Sequence, residues 1–279
     1  MSVNNTQSAN QSNSPLSQFL DLMWKDYCSF NSGAAEIFKT LTQLGETMIN
    51  DHIALRTVNH PKLGIKSLAQ HFEKFGYKDC GEYFFKEKKL YAKHYEHPDK
   101  TQPKIFISEL ELEKTSPLIQ ETFQTCLAAL DEKKISDEKF VFCGRPWSAL
   151  HSVFEKLALE SEYASWVYAY GFRPNHFTVS VNHLKILKSV EHVNQFLEER
   201  GFKLNASGGK IKGTPTDLLE QSSTMAEEVQ VQFADGVYKI PACYYEFARR
   251  YPKTDGQLYQ GFIAKSADKI FESTNKTSM

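Results

Sequence analysis

HIALRT, residues 52–57, and its later counterpart HFTVSV, residues 176–181, decide how this chain reads. A strand sends successive side chains to opposite faces. HIALRT therefore sets His52, Ala54 and Arg56 on one side against Ile53 and Leu55 on the other, and HFTVSV separates His176, Thr178, Ser180 and the following Asn182 from Phe177, Val179 and Val181. In both runs the apolar side is suited to packing on a helix, and the polar side begins with histidine. Each is followed by a stretch with helical spacing, about 67–75 and 189–200, that closes on a glycine: Gly76-Tyr77-Lys78 and Gly201-Phe202-Lys203. The intervals, 52 to 76 and 176 to 201, agree to within one residue. Such long internal periods indicate repeated supersecondary units.

Working outward, the strand-like runs EYFF (82–85), KLYAKHY (89–95) and KIFISEL (104–110) complete a first β-α-β-β-β unit. EVQVQF (228–233) and YYEFARR (244–250) complete a second, beyond a Gly-rich stretch, GGKIKG at 208–213, that lacks the strand-before, helix-after context of a phosphate loop and reads as a turn. The predicted class is α+β, with module one at about 50–110, a helical insertion at about 111–170 and module two at about 174–252. Two helices precede module one, marked by Phe19, Leu20, Met23, Trp24 and Tyr27, then by Ile37, Phe38, Leu41 and Leu44. Residues 1–15, rich in Asn, Gln and Ser, read as a disordered tail before a single catalytic domain from residue 16 onward.

Composition narrows the partners. The 279 residues are 41% hydrophobic and 24% charged, with 33 basic against 34 acidic side chains, so no global basic field favours nucleic acid or anionic lipid. No apolar run approaches the ~18 residues of a membrane span, and no signal-peptide pattern opens the chain. The five scattered cysteines contain no CxxC pair and suit a reducing cytoplasm. The oligomeric state is not legible.

The polar strand faces carry His, Thr, Ser, Asn, Gln and Tyr where solvent-facing strands favour Lys and Glu, which indicates a lined cavity. Glu246 of YYEFARR shares its face with Tyr244 and Ala248. His52, His176 and Glu246 then form a 2-His-1-carboxylate set, the combination that holds Fe(II) by one face and leaves positions for substrate and dioxygen. The same donors also accept Zn, Ni or Mn. Glu246 alternatively pairs with Arg249 or Arg250. His94 can line the site by itself; His97, three residues on, points to the other face. No nucleophile elbow is present.

The segments DHIALRTV (51–58), RPNHFTVSVN (173–182), QSSTMAEEVQVQFADG (221–236), YYEFARRYP (244–252) and GFIAKSADKIFEST (261–274) resemble the 2-oxoadipate dioxygenase/decarboxylase family, over about residues 16–274. The resemblance implies His52, His176 and Glu246 as metal ligands and a vicinal oxygen chelate-like open barrel built from the paired modules. It further implies that Arg56 holds a substrate carboxylate and that the segment around Ser266 contributes near it. Arg56 lies four residues beyond His52, roughly 13 Å along the strand, and its planar fork suits a carboxylate; the alternative is an internal ion pair. The implied reaction is oxidative decarboxylation of a 2-oxo acid with O2, converting 2-oxoadipate to 2-hydroxyglutarate and CO2 in lysine catabolism. Family members are commonly longer, and Lys265 stands where a smaller apolar residue fits the pattern, which leaves substrate identity open. The rival readings are a metal isomerase or hydrolase of the vicinal oxygen chelate type and a noncatalytic small-molecule binding protein.

Overall fold

The computed structural model describes residues 14–128 and 130–274. Most of the expected N-terminal tail, residues 1–13, lies outside them, whereas Ser14 and Pro15 already begin the first helix. The Ser14 hydroxyl accepts from the Ser17 amide, and Pro15 stands at the first helical position, where its missing N–H costs nothing. Helix α1 (Pro15–Ser29) buries Leu16, Phe19, Leu20, Met23, Trp24 and Tyr27. Helix α2 (Ser32–Leu44) is capped by Asn31 and ends at Gly45 in the left-handed conformation.

Module one follows as β1 (Asn50–Val58), α3 (Ile65–Glu73), β2 (Lys78–Phe85), β3 (Leu90–Glu96) and β4 (Lys104–Leu110). The insertion is helical as expected: α4 (Pro117–Ala128), α5 (Glu132–Ile135), α6 (His151–Glu160) and α7 (Glu162–Tyr170). Module two contains β5 (Pro174–Ser180), α8 (Val190–Glu198), β6 (Leu219–Ser223), β7 (Glu228–Phe233), β8 (Gly236–Pro241) and β9 (Glu246–Arg250), and α9 (Ala264–Ile270) comes last. No helix among the described residues is long and apolar enough to cross a membrane.

Seven of these strands form one curled half-barrel sheet in the order β2-β3-β4-β1-β5-β9-β6. Its centre is pseudo-symmetric. β1 and β5 run antiparallel to each other, and each has a parallel outer neighbour, β4 for β1 and β9 for β5. Trp24 and Tyr27 of α1 each meet the Phe177 ring of β5 at 5.0 Å between centroids, so the apolar strand face packs on helix. The opposite, concave face is covered by α9 and by the segment carrying Phe262, whose ring meets His52 at 4.8 Å and Phe106 at 5.0 Å.

One expected strand lies elsewhere. EVQVQF pairs only with β8, in a separate two-stranded hairpin where Gln230 and Gln232 are exposed. The place beside β9 at the edge of the sheet is filled instead by β6, which pairs antiparallel with β9 and sets Gln221 opposite Ala248. Alternation shows that a strand has two unlike faces; it does not show which sheet the strand joins.

Candidate metal centre

His52, His176 and Glu246 converge on the concave face, from β1, β5 and β9. The strand register explains how. Ala54, two residues beyond His52, pairs with Phe106 of β4, and Thr178, two residues beyond His176, pairs with Glu246 of β9. Glu246 and Phe106 therefore occupy equivalent positions in the two modules. Pseudo-symmetry offers four positions for polar groups, and the fourth is an aromatic ring, so one side of the centre is apolar.

All three polar groups are buried, with one donor atom each within 4.8 Å of the others. His52 Nε2 stands 3.7 Å from Glu246 Oε1, and His176 Nε2 stands 3.2 Å from Glu246 Oε2. Ligand atoms around a divalent ion at ordinary bond lengths sit roughly 3 to 3.5 Å apart. Each ring is oriented by the residue before it: His52 Nδ1 lies 2.8 Å from Asp51 Oδ1 and His176 Nδ1 lies 3.0 Å from Asn175 Oδ1. Those oxygens only accept, which puts the proton on Nδ1 and turns the bare Nε2 lone pairs toward Glu246. Thr178 Oγ1 meets His52 Nε2 at 3.1 Å, whereas Glu246 Oε2 has no hydrogen-bond donor. Two lone pairs facing a carboxylate in a buried space call for a cation, and the donor set fits a divalent one.

The charges agree with this. Burial lowers the basicity of His52 and, more strongly, of His176, keeping both imidazoles neutral and able to ligate. Burial pushes the Glu246 carboxyl up to about 8. Burial would raise Asp51 as well, but the Arg250 guanidinium outweighs it and holds that carboxyl well below the usual range. Arg250 grips both Asp51 oxygens, at 2.7 and 2.8 Å, and donates its other nitrogen to the carbonyls of Tyr259 and Gly261. Gln221 Nε2 donates to Glu246 Oε1.

The other expected residues take different places. Arg56 is 1% exposed; its Nη1 donates to Glu162 at 2.6 Å, and its guanidinium lies 4.9 to 5.5 Å from the ring centres of Tyr163, Trp166 and Phe271. The internal pair is therefore present, yet Nε and Nη2 have no partner. His94 has both ring nitrogens engaged, with Tyr83 at 2.9 Å and Glu96 at 3.2 Å, and backs onto Phe262. Ser266 is buried against Gly213, while its neighbour Ala267 lines the cavity. Lys265 is exposed, so the departure at that position points away from the cavity.

Sequence reasoning missed Gln221, the aromatic lining of Phe106, Phe262 and Phe271, and the orienting pair Asp51 and Asn175. The last two had a visible signal: an oxygen acceptor directly precedes each histidine, in DH and NH. The cavity itself is narrow, with a free volume of about 20 Å³, room for about one water.

Residues 14–143 and 144–259 match the family described as 2-oxoadipate dioxygenase/decarboxylase. The chloroplastic 2-oxoadipate dioxygenase/decarboxylase of Arabidopsis thaliana is 39% identical over 250 residues, covering 80% of this chain and 67% of that protein. A hydroxyglutarate synthase from Oryza sativa, solved in complex with 2-oxoadipate, superposes with a TM-score of 0.86 at 34% identity, over 94% of this chain and 92% of that one. A Shewanella frigidimarina protein described as a candidate hydrolase gives 0.86 at 48% identity, over 90% and 99%. The fold alone is shared with a candidate glyoxalase-superfamily protein from Ralstonia eutropha, at a TM-score of 0.74 and 18% identity over 88% and 85% of the two chains. Matched across both modules and the insertion between them, this chain belongs to the 2-oxoadipate dioxygenase/decarboxylase family.

Proposed function

We propose that this protein is a dioxygenase that decarboxylates a 2-oxo dicarboxylic acid, converting 2-oxoadipate and O2 to 2-hydroxyglutarate and CO2. The observation that carries the reading is the buried set of His52, His176 and Glu246, with bare nitrogen lone pairs turned on a carboxylate. Fe(II) is the ion this set suits, and when bound it supplies the one-electron chemistry that lets dioxygen react with a 2-oxo acid.

The chain's own residues do the rest. Asp51 and Asn175 hold the two rings, and Arg250 fixes Asp51 in turn. Phe106, Phe262 and Phe271 exclude water, which strengthens polar contacts inside. The unpartnered Nε–Nη2 edge of Arg56 suits the far carboxylate of the substrate, and Glu162 on Nη1 keeps that edge in place. Ser266 and His94 support the wall, the first by seating α9 on Gly213, the second by backing Phe262. The product of such a reaction belongs to lysine breakdown, and five free thiols fit a reducing compartment.

Anaerobic reconstitution with Fe(II), or with Zn, Ni or Mn, followed by O2 uptake and CO2 release across a series of 2-oxo acids, tests the proposal. Equal amounts of O2 consumed and CO2 released with 2-oxoadipate, with Fe(II) alone, are expected. Turnover without O2 uptake would replace it with a metal hydrolase or isomerase; tight binding without turnover, with a binding protein.

A further inference from the structure

Tyr244 is absent from every role assigned above. It is fully buried and lines the cavity, its ring stacks on His176 at 4.7 Å and 26°, and its hydroxyl has no hydrogen-bond partner. A buried hydroxyl without a partner costs about 1–3 kcal/mol, and such a group in a native site calls for an explanation. The residue has little freedom to escape the cost. Its backbone carbonyl accepts from the Tyr27 hydroxyl at 2.5 Å, and Asn31 donates to that same hydroxyl at 2.8 Å. The Phe271 ring, which lines the same cavity as Tyr244, lies 5.5 Å from the Arg56 guanidinium, so Arg56 stands just behind that wall. Tyr244 thus stacks on a candidate metal ligand and shares a cavity with Phe271, whose ring borders a guanidinium with Nε and Nη2 likewise unpartnered.

We infer that the Tyr244 hydroxyl is a substrate-recognition donor: with Nε and Nη2 of Arg56 it binds the far carboxylate of the 2-oxo acid, and its fixed distance from His176 sets the chain length accepted. The inference rests on the proposed reading of the site as one for 2-oxo dicarboxylic acids. Three donors converging on one carboxylate would satisfy three of the orphaned atoms together. Phenylalanine at this position keeps the stacking and removes one charge-assisted hydrogen bond.

The test is Tyr244→Phe beside the wild-type protein, both loaded with Fe(II), with melting curves recorded to show that the variant is folded. Anaerobic equilibrium binding and steady-state KM are measured for 2-oxoadipate, 2-oxoglutarate and the monocarboxylic 2-oxohexanoate. Expected are a roughly 10- to 100-fold weaker binding of 2-oxoadipate, 2-oxohexanoate binding within about twofold, unchanged iron content, and a smaller preference for the six-carbon over the five-carbon diacid. Should Phe unfold the protein, competition by adipate and hexanoate in Arg56→Lys and wild type reads the same cradle from its other side, with only adipate weakened. Equal losses for mono- and dicarboxylic acids, or no loss, overturn the role of Tyr244 while leaving wild-type turnover intact. A wild type that binds no 2-oxo acid overturns both this inference and the reading beneath it.

Discussion

His52 and His176 become ligand-ready through their neighbours in sequence, because Asp51 and Asn175 accept the hydrogen bond from Nδ1–H, leaving Nε2 unprotonated, and burial keeps the rings neutral. Loss of any of the three donors leaves an incomplete set, so His52→Ala, His176→Ala and Glu246→Ala should each abolish stoichiometric metal, read by metal analysis of purified protein. Asp51→Asn should be milder on metal, about 10- to 100-fold in affinity by chelator competition, and severe on folding. It strips Arg250 of a bidentate partner and leaves a buried cation unpaired, at a cost of roughly 3–5 kcal/mol in denaturant unfolding. An Asp51→Asn protein as stable as wild type would show that the pair does not support the fold. At this level the sequence was informative: residue type, strand face and the family resemblance singled out the three side chains that converge. Arg56 was not fully legible, since nothing in HIALRT shows that α7, about a hundred residues later, returns Glu162 to one of its nitrogens while leaving two free.

Strands and turns were legible where a local rule governs them. Gly76 and Gly201 close the equivalent helices with φ of 99° and 82°, a conformation that L side chains rarely adopt. Gly213 differs in kind. Its φ is 77°, and a Cβ there would lie 2.2 Å from the Leu219 carbonyl oxygen, whereas one at Gly201 would meet nothing within 4 Å. Gly201→Ala should cost only the backbone strain, about 1–2 kcal/mol, while Gly213→Ala should cost more and shift β6, loosening the Gln221 grip on Glu246. Thermal melts of the two variants, together with their metal affinity, check this; equal melting points would mean the β6 contact yields without cost. EVQVQF was misplaced because its alternation satisfies a half-exposed hairpin as well as a barrel strand. LEQSS, the strand that takes the place in the sheet, has no such alternation, being buried over most of its length.

The assembled chain has two properties that no segment has. First, its cavity holds about one water, far less than a six-carbon diacid, so a substrate of that size needs the cover to move, Ala267 and Ile270 of α9 together with Phe271 just beyond it. Amide hydrogen exchange across residues 262–274 should slow when 2-oxoadipate saturates the metal-loaded protein, and unchanged exchange would argue for another route. Second, stability should fall in acid through Glu96. Its carboxyl sits at about 2, below the ordinary 4.5, because His94 donates to it, against the opposing effect of burial and with Lys100 and Lys104 nearby. A lowered carboxyl stabilises the fold above its unfolded value, and that contribution is lost as pH falls from about 4.5 toward 2. Glu96→Gln should flatten the stability profile in that window, as read by unfolding free energy against pH.

By itself the sequence determined the two β-α-β modules, the insertion between them, and the apolar and polar faces of β1 and β5 on which His52 and His176 stand, because period-2 and helical spacing and the glycine turns are local consequences of backbone geometry. Only the tertiary structure decided which strands share the sheet, that Phe106 occupies the position equivalent to Glu246, that Gln221 and Tyr244 reach the same cavity, and that Glu162 pairs with Arg56. Those contacts join residues far apart in the chain, and curling of the sheet brings them together through burial, which local pattern does not encode.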